Sequence, residues 1–203
     1  DGKSDLAEWT DGGVRVLRST GSGLESPVSW LEGDFGGGKG HLLADVDGDG
    51  RDDLLAVVGA DAWVARSTGT AFDVAVLWSG EIPTGEHDYH AGDFDGDGAD
   101  DLLAWAYSQQ QVALSTHTAF APAQPWHTGD FWAGSLAVPF NIVHDIHGDG
   151  RADLLAPAPW GLYVLVSDGS SLGQVIYMQG AVDQTVDRGY RAGQLCRAHP
   201  DCG

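Results

Sequence analysis

Three nearly identical acidic nonapeptides punctuate this chain: Asp45-Val-Asp-Gly-Asp-Gly-Arg-Asp-Asp53, Asp93-Phe-Asp-Gly-Asp-Gly-Ala-Asp-Asp101 and Asp145-Ile-His-Gly-Asp-Gly-Arg-Ala-Asp153, each followed by Leu-Leu-Ala. Glycines at the fourth and sixth positions let the backbone turn sharply, and carboxylates at the first, third, fifth and ninth form an oxygen cage suited to a hard cation such as calcium. An EF-hand opens in the same way, but it needs a bidentate Glu at its twelfth position and a helix on either side. Here the twelfth position is Ala56, Ala104 or Ala156, and the flanks (Leu54 to Val58, Leu102 to Trp105) are apolar runs of strand length. The loop therefore joins strands. The bland alternative is a solvated acidic turn, but carboxylates clustered without a counter-ion repel one another, and three copies in one register ask for a common cause.

The cages also set a period. Asp1, Asp49, Asp97 and Asp149 occupy one phase, Trp30, Trp78 and Trp126 another, and Ser19-Thr-Gly21, Ser67-Thr-Gly69, Ser115-Thr-His117 and Ser167-Asp-Gly169 a third. A repeat near fifty residues with several short strands per unit is the signature of propeller blades. One unit offers four strands, at 41–46, 53–58, 62–66 and 72–78, and the next offers 90–94, 101–106, 111–115 and 120–126. The expected fold is all-β: a β-propeller of four blades with four antiparallel strands each. The chain opens partway through a cage, as a trimmed product would, and Tyr190-Arg-Ala-Gly-Gln-Leu195 resembles Tyr89-His-Ala-Gly-Asp-Phe94. Pairing that C-terminal segment beside Asp5 to Trp9 would close the ring and leave no open sheet edge. A piece of a larger ring is the competing reading. The expected organisation is one propeller over 1–195 and a tail, 196–203, pinned by a disulfide between Cys196 and Cys202, the only cysteines.

Thirty acidic against ten basic residues give a formal charge of -20, which disfavours nucleic acid and anionic membranes as partners. No apolar run reaches the length of a membrane-spanning helix. A lone cysteine pair and cages of a kind suited to millimolar calcium point to a secreted protein.

The motif Asp-x-Asp-Gly-Asp-Gly-x-x-Asp-Leu-Leu followed by Ser-Thr-Gly-x-x-Phe resembles the FG-GAP or VCBS repeat family, over almost the whole chain. That family includes the calcium-binding blades of integrin alpha subunits, lectins of the Psathyrella velutina type and many bacterial secreted proteins, commonly as seven-bladed rings; four units depart from that pattern. The resemblance implies Asp45, Asp47, Asp49 and Asp53 with the Arg51 carbonyl as ligands of one calcium, and Asp93, Asp95, Asp97 and Asp101 with the Ala99 carbonyl as ligands of a second. The third set is Asp145, Asp149 and Asp153 with Arg151, but His147 stands where an Asp is expected. Imidazole suits zinc or copper better than calcium, so that site should be weaker, completed by water or empty. The split cage at Asp1 and Asp5 meets Gln194 and Cys196 in place of acids and should hold no ordinary calcium. The ions would brace hairpins and activate no water.

For function, the evenly spaced Trp30, Trp78 and Trp126 suit either sugar stacking or blade packing. The less regular Trp9, Trp105, Trp132 and Trp160 are better placed to bind, with Trp132 and Trp160 in loop sequence favoured. Glu86-His-Asp-Tyr-His90 could be an acid–base or metal site, or a surface or strand-edge histidine. No nucleophile elbow, phosphate-cradling loop or His-Glu-x-x-His occurs, so an enzyme is not expected. The leading expectation is a lectin-like module whose partner is a glycan. The alternative is an adhesion or structural module of integrin-alpha type with an extracellular protein partner.

Overall fold

The structure is a computed structural model that describes residues 2–33, 35, 39–84, 88–106, 109–129, 142–158 and 161–179. Among the described residues, fifteen strands form four antiparallel sheets. The first holds β1 (Leu6–Thr10), β2 (Gly13–Leu17) and β3 (Val28–Glu32), and the second β4 (Lys39–Ala44), β5 (Asp53–Val58), β6 (Asp61–Ala65) and β7 (Val76–Ser79). The third holds β8 (Asp88–Gly92), β9 (Asp101–Ala106), β10 (Gln109–Ala113) and β11 (Gln124–Thr128). The fourth holds β12 (Ile142–His144), β13 (Asp153–Ala158), β14 (Gly161–Ser167) and β15 (Leu172–Gln179). Each sheet is an up-and-down meander in chain order, and β4, β8 and β12 lie beside one another from sheet to sheet. This is the topology of propeller blades. No helix among the described residues is long and apolar enough to cross a membrane.

The acidic loops are the β4–β5, β8–β9 and β12–β13 hairpins. The Leu-Leu pair that follows each loop shows how the sheets stack. Successive strand residues point to opposite faces, so Leu54 enters a core shared with Val14, Val16 and Phe72, while Leu55 enters one shared with Leu102, Ala113 and Phe120. Leu102 returns to that second core, and Leu103 passes into a third with Leu154, Leu165 and Leu172. Both faces of these strands are buried against neighbouring sheets, which is why they read as continuous apolar runs. Each fully buried Leu contributes about 1.5–3 kcal/mol, and every such contribution depends on the neighbouring sheet.

The structure moves the expected outermost strands. They begin at Val76 and Gln124, not at Phe72 and Phe120. Those phenylalanines instead bridge to Ser67 and Ser115 across a tight turn. Phe72 and Phe120 donate their amides to the carbonyls of Trp30 and Trp78 in the preceding sheet, at 3.0 and 3.1 Å. The rings meet at 5.3 and 5.4 Å. Trp78 and Trp126 are 5% and 7% exposed. Of the two readings of the periodic tryptophans, blade packing holds for these. His90 is a half-buried residue of β8, the end strand of its sheet, as the strand-edge reading expected, and burial lowers its pKa despite Asp88. His87 and Glu86, Trp132, Trp160, the segment 190–195, Cys196 and Cys202 lie outside the described residues.

Candidate functional site

Each acidic loop folds around its first carboxylate. Asp45 accepts from the amides of Asp49 and Gly50 at 2.9 and 2.7 Å, and Asp93 accepts from Gly96, Asp97 and Gly98 at 2.7 to 3.1 Å. Asp145 does the same with Gly148, Asp149 and Gly150. The ninth carboxylate lies at the bottom of the loop, fully buried, and latches the next turn: Asp53, Asp101 and Asp153 accept from the amides of Ser67, Ser115 and Ser167 at 2.7, 2.7 and 3.0 Å. First, third and ninth positions converge. Asp45, Asp47 and Asp53 bring ligand atoms within 4.8 Å of one another, as do Asp93, Asp95 and Asp101, and Asp145, His147 and Asp153.

The fifth carboxylates lie outside these groups and each meets a basic side chain of the protein; Asp149 also contacts His147 of the third group. Asp49 pairs with Arg51 and Asp149 with Arg151, and both guanidinium groups also donate through Nε to a serine carbonyl, of Ser67 and Ser167. The second loop has Ala99 in place of the arginine. There His117 approaches Asp97 at 3.4 Å while its Nδ1 meets the Asp47 carbonyl at 3.0 Å, linking two loops. His117 stands where the other copies have glycine, at a φ of 63°, in the left-handed region that costs a side-chain-bearing residue energy. Gly69 and Gly169 instead leave space in which Arg51 and Arg151 lie.

The third loop differs in its interior. His147 Nδ1 is 3.0 Å from Asp153 Oδ2 and 3.9 Å from Asp145 Oδ1, and its Nε2 is 3.0 Å from Asp149 Oδ2. The hydrogen bond to Asp153 holds the imidazole pKa above its ordinary value.

A second feature lies at the junction of the first two sheets. Trp9 of β1 meets His41 of β4 with ring centroids 5.8 Å apart, and the Phe35 ring lies 6.3 Å from the same imidazole. His41 Nε2 donates to the Phe35 carbonyl at 2.8 Å. With Thr10, Asp11, Gly13 and Val14 these residues line an open pocket of about 210 Å³, and Trp9 is 36% exposed. An aromatic face beside hydroxyl and carboxylate groups is a surface on which a polar ring with one apolar face can lie.

A family profile described as the FG-GAP-like repeat matches residues 1–56, 45–104 and 93–156. This chain belongs to the FG-GAP-like repeat family. Among solved structures, it is similar to a lectin of Agrocybe aegerita determined for specific recognition of non-reducing terminal N-acetylglucosamine. The two are 26% identical with a TM-score of 0.68, over 86% of this chain and 49% of the lectin. The chain thus spans about half the length of that lectin. It shares its fold with part of the Photorhabdus luminescens Tc holotoxin pore, at 15% identity and a TM-score of 0.62 over 88% of this chain and 9% of the other. No curated protein matches it.

The first two FG-GAP loops can hold a metal ion, and one atom shows the fit. Asp53 Oδ2 is buried without a hydrogen-bond partner, a costly arrangement that a cation among Asp45, Asp47 and Asp53 would relieve. In the second loop the corresponding Asp101 oxygen accepts the Phe94 amide, at 2.9 Å. Burial pushes the carboxyls of Asp53 and Asp101 up to about 7. In the third FG-GAP loop Asp153 Oδ2 already receives the Ile146 amide and the His147 ring. Sequence reasoning missed His117 and the pairing of Trp9 with His41. For His117 a signal was present, a non-glycine at a glycine phase. The Trp9 pocket joins residues of different sheets, and nothing local announces it.

Proposed function

We propose that this chain is a secreted, calcium-braced propeller module that binds carbohydrate at the junctions between its sheets and has no catalytic activity. The observation that carries the reading is the half-open pocket of Trp9, Thr10, Asp11 and His41, where an exposed indole adjoins polar groups. Likeness to a lectin that recognises N-acetylglucosamine supports the class of ligand. Calcium is the ion proposed for the first two loops, because their side-chain ligands are all oxygen and the loops turn on glycine. In this reading the four sheets close into a ring through pairing of residues 190–195 with β1. Support comes from a hollow of about 380 Å³ between the first two sheets, lined by Asp5, Ala7, Trp30, Asp52, Ser67 and Phe72 among others. At the next two junctions the matching serines, Ser115 and Ser167, donate to the carbonyls of Val46 and Phe94, both 2.6 Å away.

Titration with N-acetylglucosamine and a glycan panel, calcium present, tests the proposal. Trp9→Ala should weaken binding at least about tenfold, or ~1.4 kcal/mol, with an unchanged melting curve. A chain that binds no glycan but captures a protein ligand would favour the adhesion reading instead.

A further inference from the structure

We infer that His147 takes the place of the ion in the third loop, so that this hairpin is held by the protein's own side chains and the chain takes up two calcium ions, not three. The inference rests on the calcium reading of the first two loops. There, the third position is an aspartate; Arg66 lies 3.6 Å from Asp47 in the first loop, but among the described residues no side-chain cation reaches both the first and the ninth carboxylate. In the third loop the imidazole spans the interior. Its two nitrogens lie 3.0 Å from Asp153 and from Asp149, and 3.9 Å from Asp145. Asp145 and Asp153 are the carboxylates that converge in this loop, as their counterparts do in the other two. Arg151 adds its guanidinium group on Asp149.

Two chemical facts make the exchange work against calcium. Imidazole nitrogen is a poor ligand for a hard cation that takes six to eight oxygens. The loop has also lost one of the four cage carboxylates, at the third position, so it offers a cation less negative charge. The buried Asp153, which would otherwise resemble the orphaned Asp53, is satisfied on both oxygens: the Ser167 amide on one, the Ile146 amide and the His147 ring on the other. Nothing remains for an ion to satisfy. His147 is thus a selectivity residue that removes one site from an otherwise repeated series.

The test is a count of bound calcium by native mass spectrometry at saturating calcium, on the whole chain and on His147→Asp, with circular dichroism to confirm folding. The wild type should carry two ions and His147→Asp three. His147→Ala, which removes the ring and supplies no oxygen, should still carry two and melt at a lower temperature in chelator than the wild type does. Three ions on the wild type, or no gain in His147→Asp, would overturn the inference. No ion on the wild type but one on His147→Asp would uphold the role of His147 and sink the calcium reading of the other loops. No ion on either protein would sink both.

Discussion

A buried carboxylate is unusual enough to leave a thermodynamic trace, and this chain has several. Burial pushes Asp53 and Asp101 up to about 7 and Asp100 up to about 6. In an unfolded chain Asp ionises near pH 4. Between about pH 4 and pH 7 the folded, metal-free protein therefore binds more protons than the unfolded one, and its stability falls as pH rises through that window, then levels off. Melting in chelator at stepped pH should show this decline, and Asp53→Asn with Asp101→Asn should flatten it. A melting temperature that climbs from pH 4 to pH 7 would contradict the assignment. Added calcium should raise the melting temperature most near and above pH 7, by on the order of 5 °C, because proton and ion compete for the same oxygens. The loop aspartates were legible from spacing alone. What spacing concealed was their division of labour: the fifth carboxylates pair with Arg51, His117 or Arg151, Asp149 with His147 as well, and the ninth bind serine amides.

Among elements, the tightest fit is at the end of β8. A Cβ on Gly92 would lie 2.5 Å from Val143 Cγ1 and 2.9 Å from the Ala152 side chain, in the next sheet. Gly92→Ala should therefore destabilise by about 1–3 kcal/mol through overpacking, visible as a lower urea midpoint with an unchanged slope. A neutral outcome would mean that the third and fourth sheets stack more loosely than described. The second strands, β5 and β9, were placed correctly from their apolar runs. The outermost strands were not, because Phe72 and Phe120 look like strand residues by type and are recruited instead as inter-sheet staples. Alternation cannot distinguish a side chain packed within its sheet from one packed against the next. That distinction is a tertiary property, as is the pocket of Trp9 and His41.

For the whole molecule, stacked repeats draw stability from their neighbours more than from themselves, so the state of the outer sheets matters most. If residues 190–195 complete the first sheet as proposed, Leu195 fills the apolar part of the hollow beside Ala7, Val16, Trp30 and Phe72. Leu195→Asp should then cost about 2 kcal/mol or more and speed amide exchange in β1 and β2 before the other strands. Uniform exchange across all four sheets in both proteins would count against closure by this segment.

The bonds that cross between sheets also bear on how such a chain is made. Asp100 donates its amide to the Asp45 carbonyl and accepts the Asp45 amide, while Ser115 reaches Val46. A hairpin begun at residue 45 thus finds its last partners some seventy residues downstream. During synthesis each newly emerged sheet must wait, half-satisfied, for its successor to leave the ribosome, and the nascent protein always trails one unfinished edge.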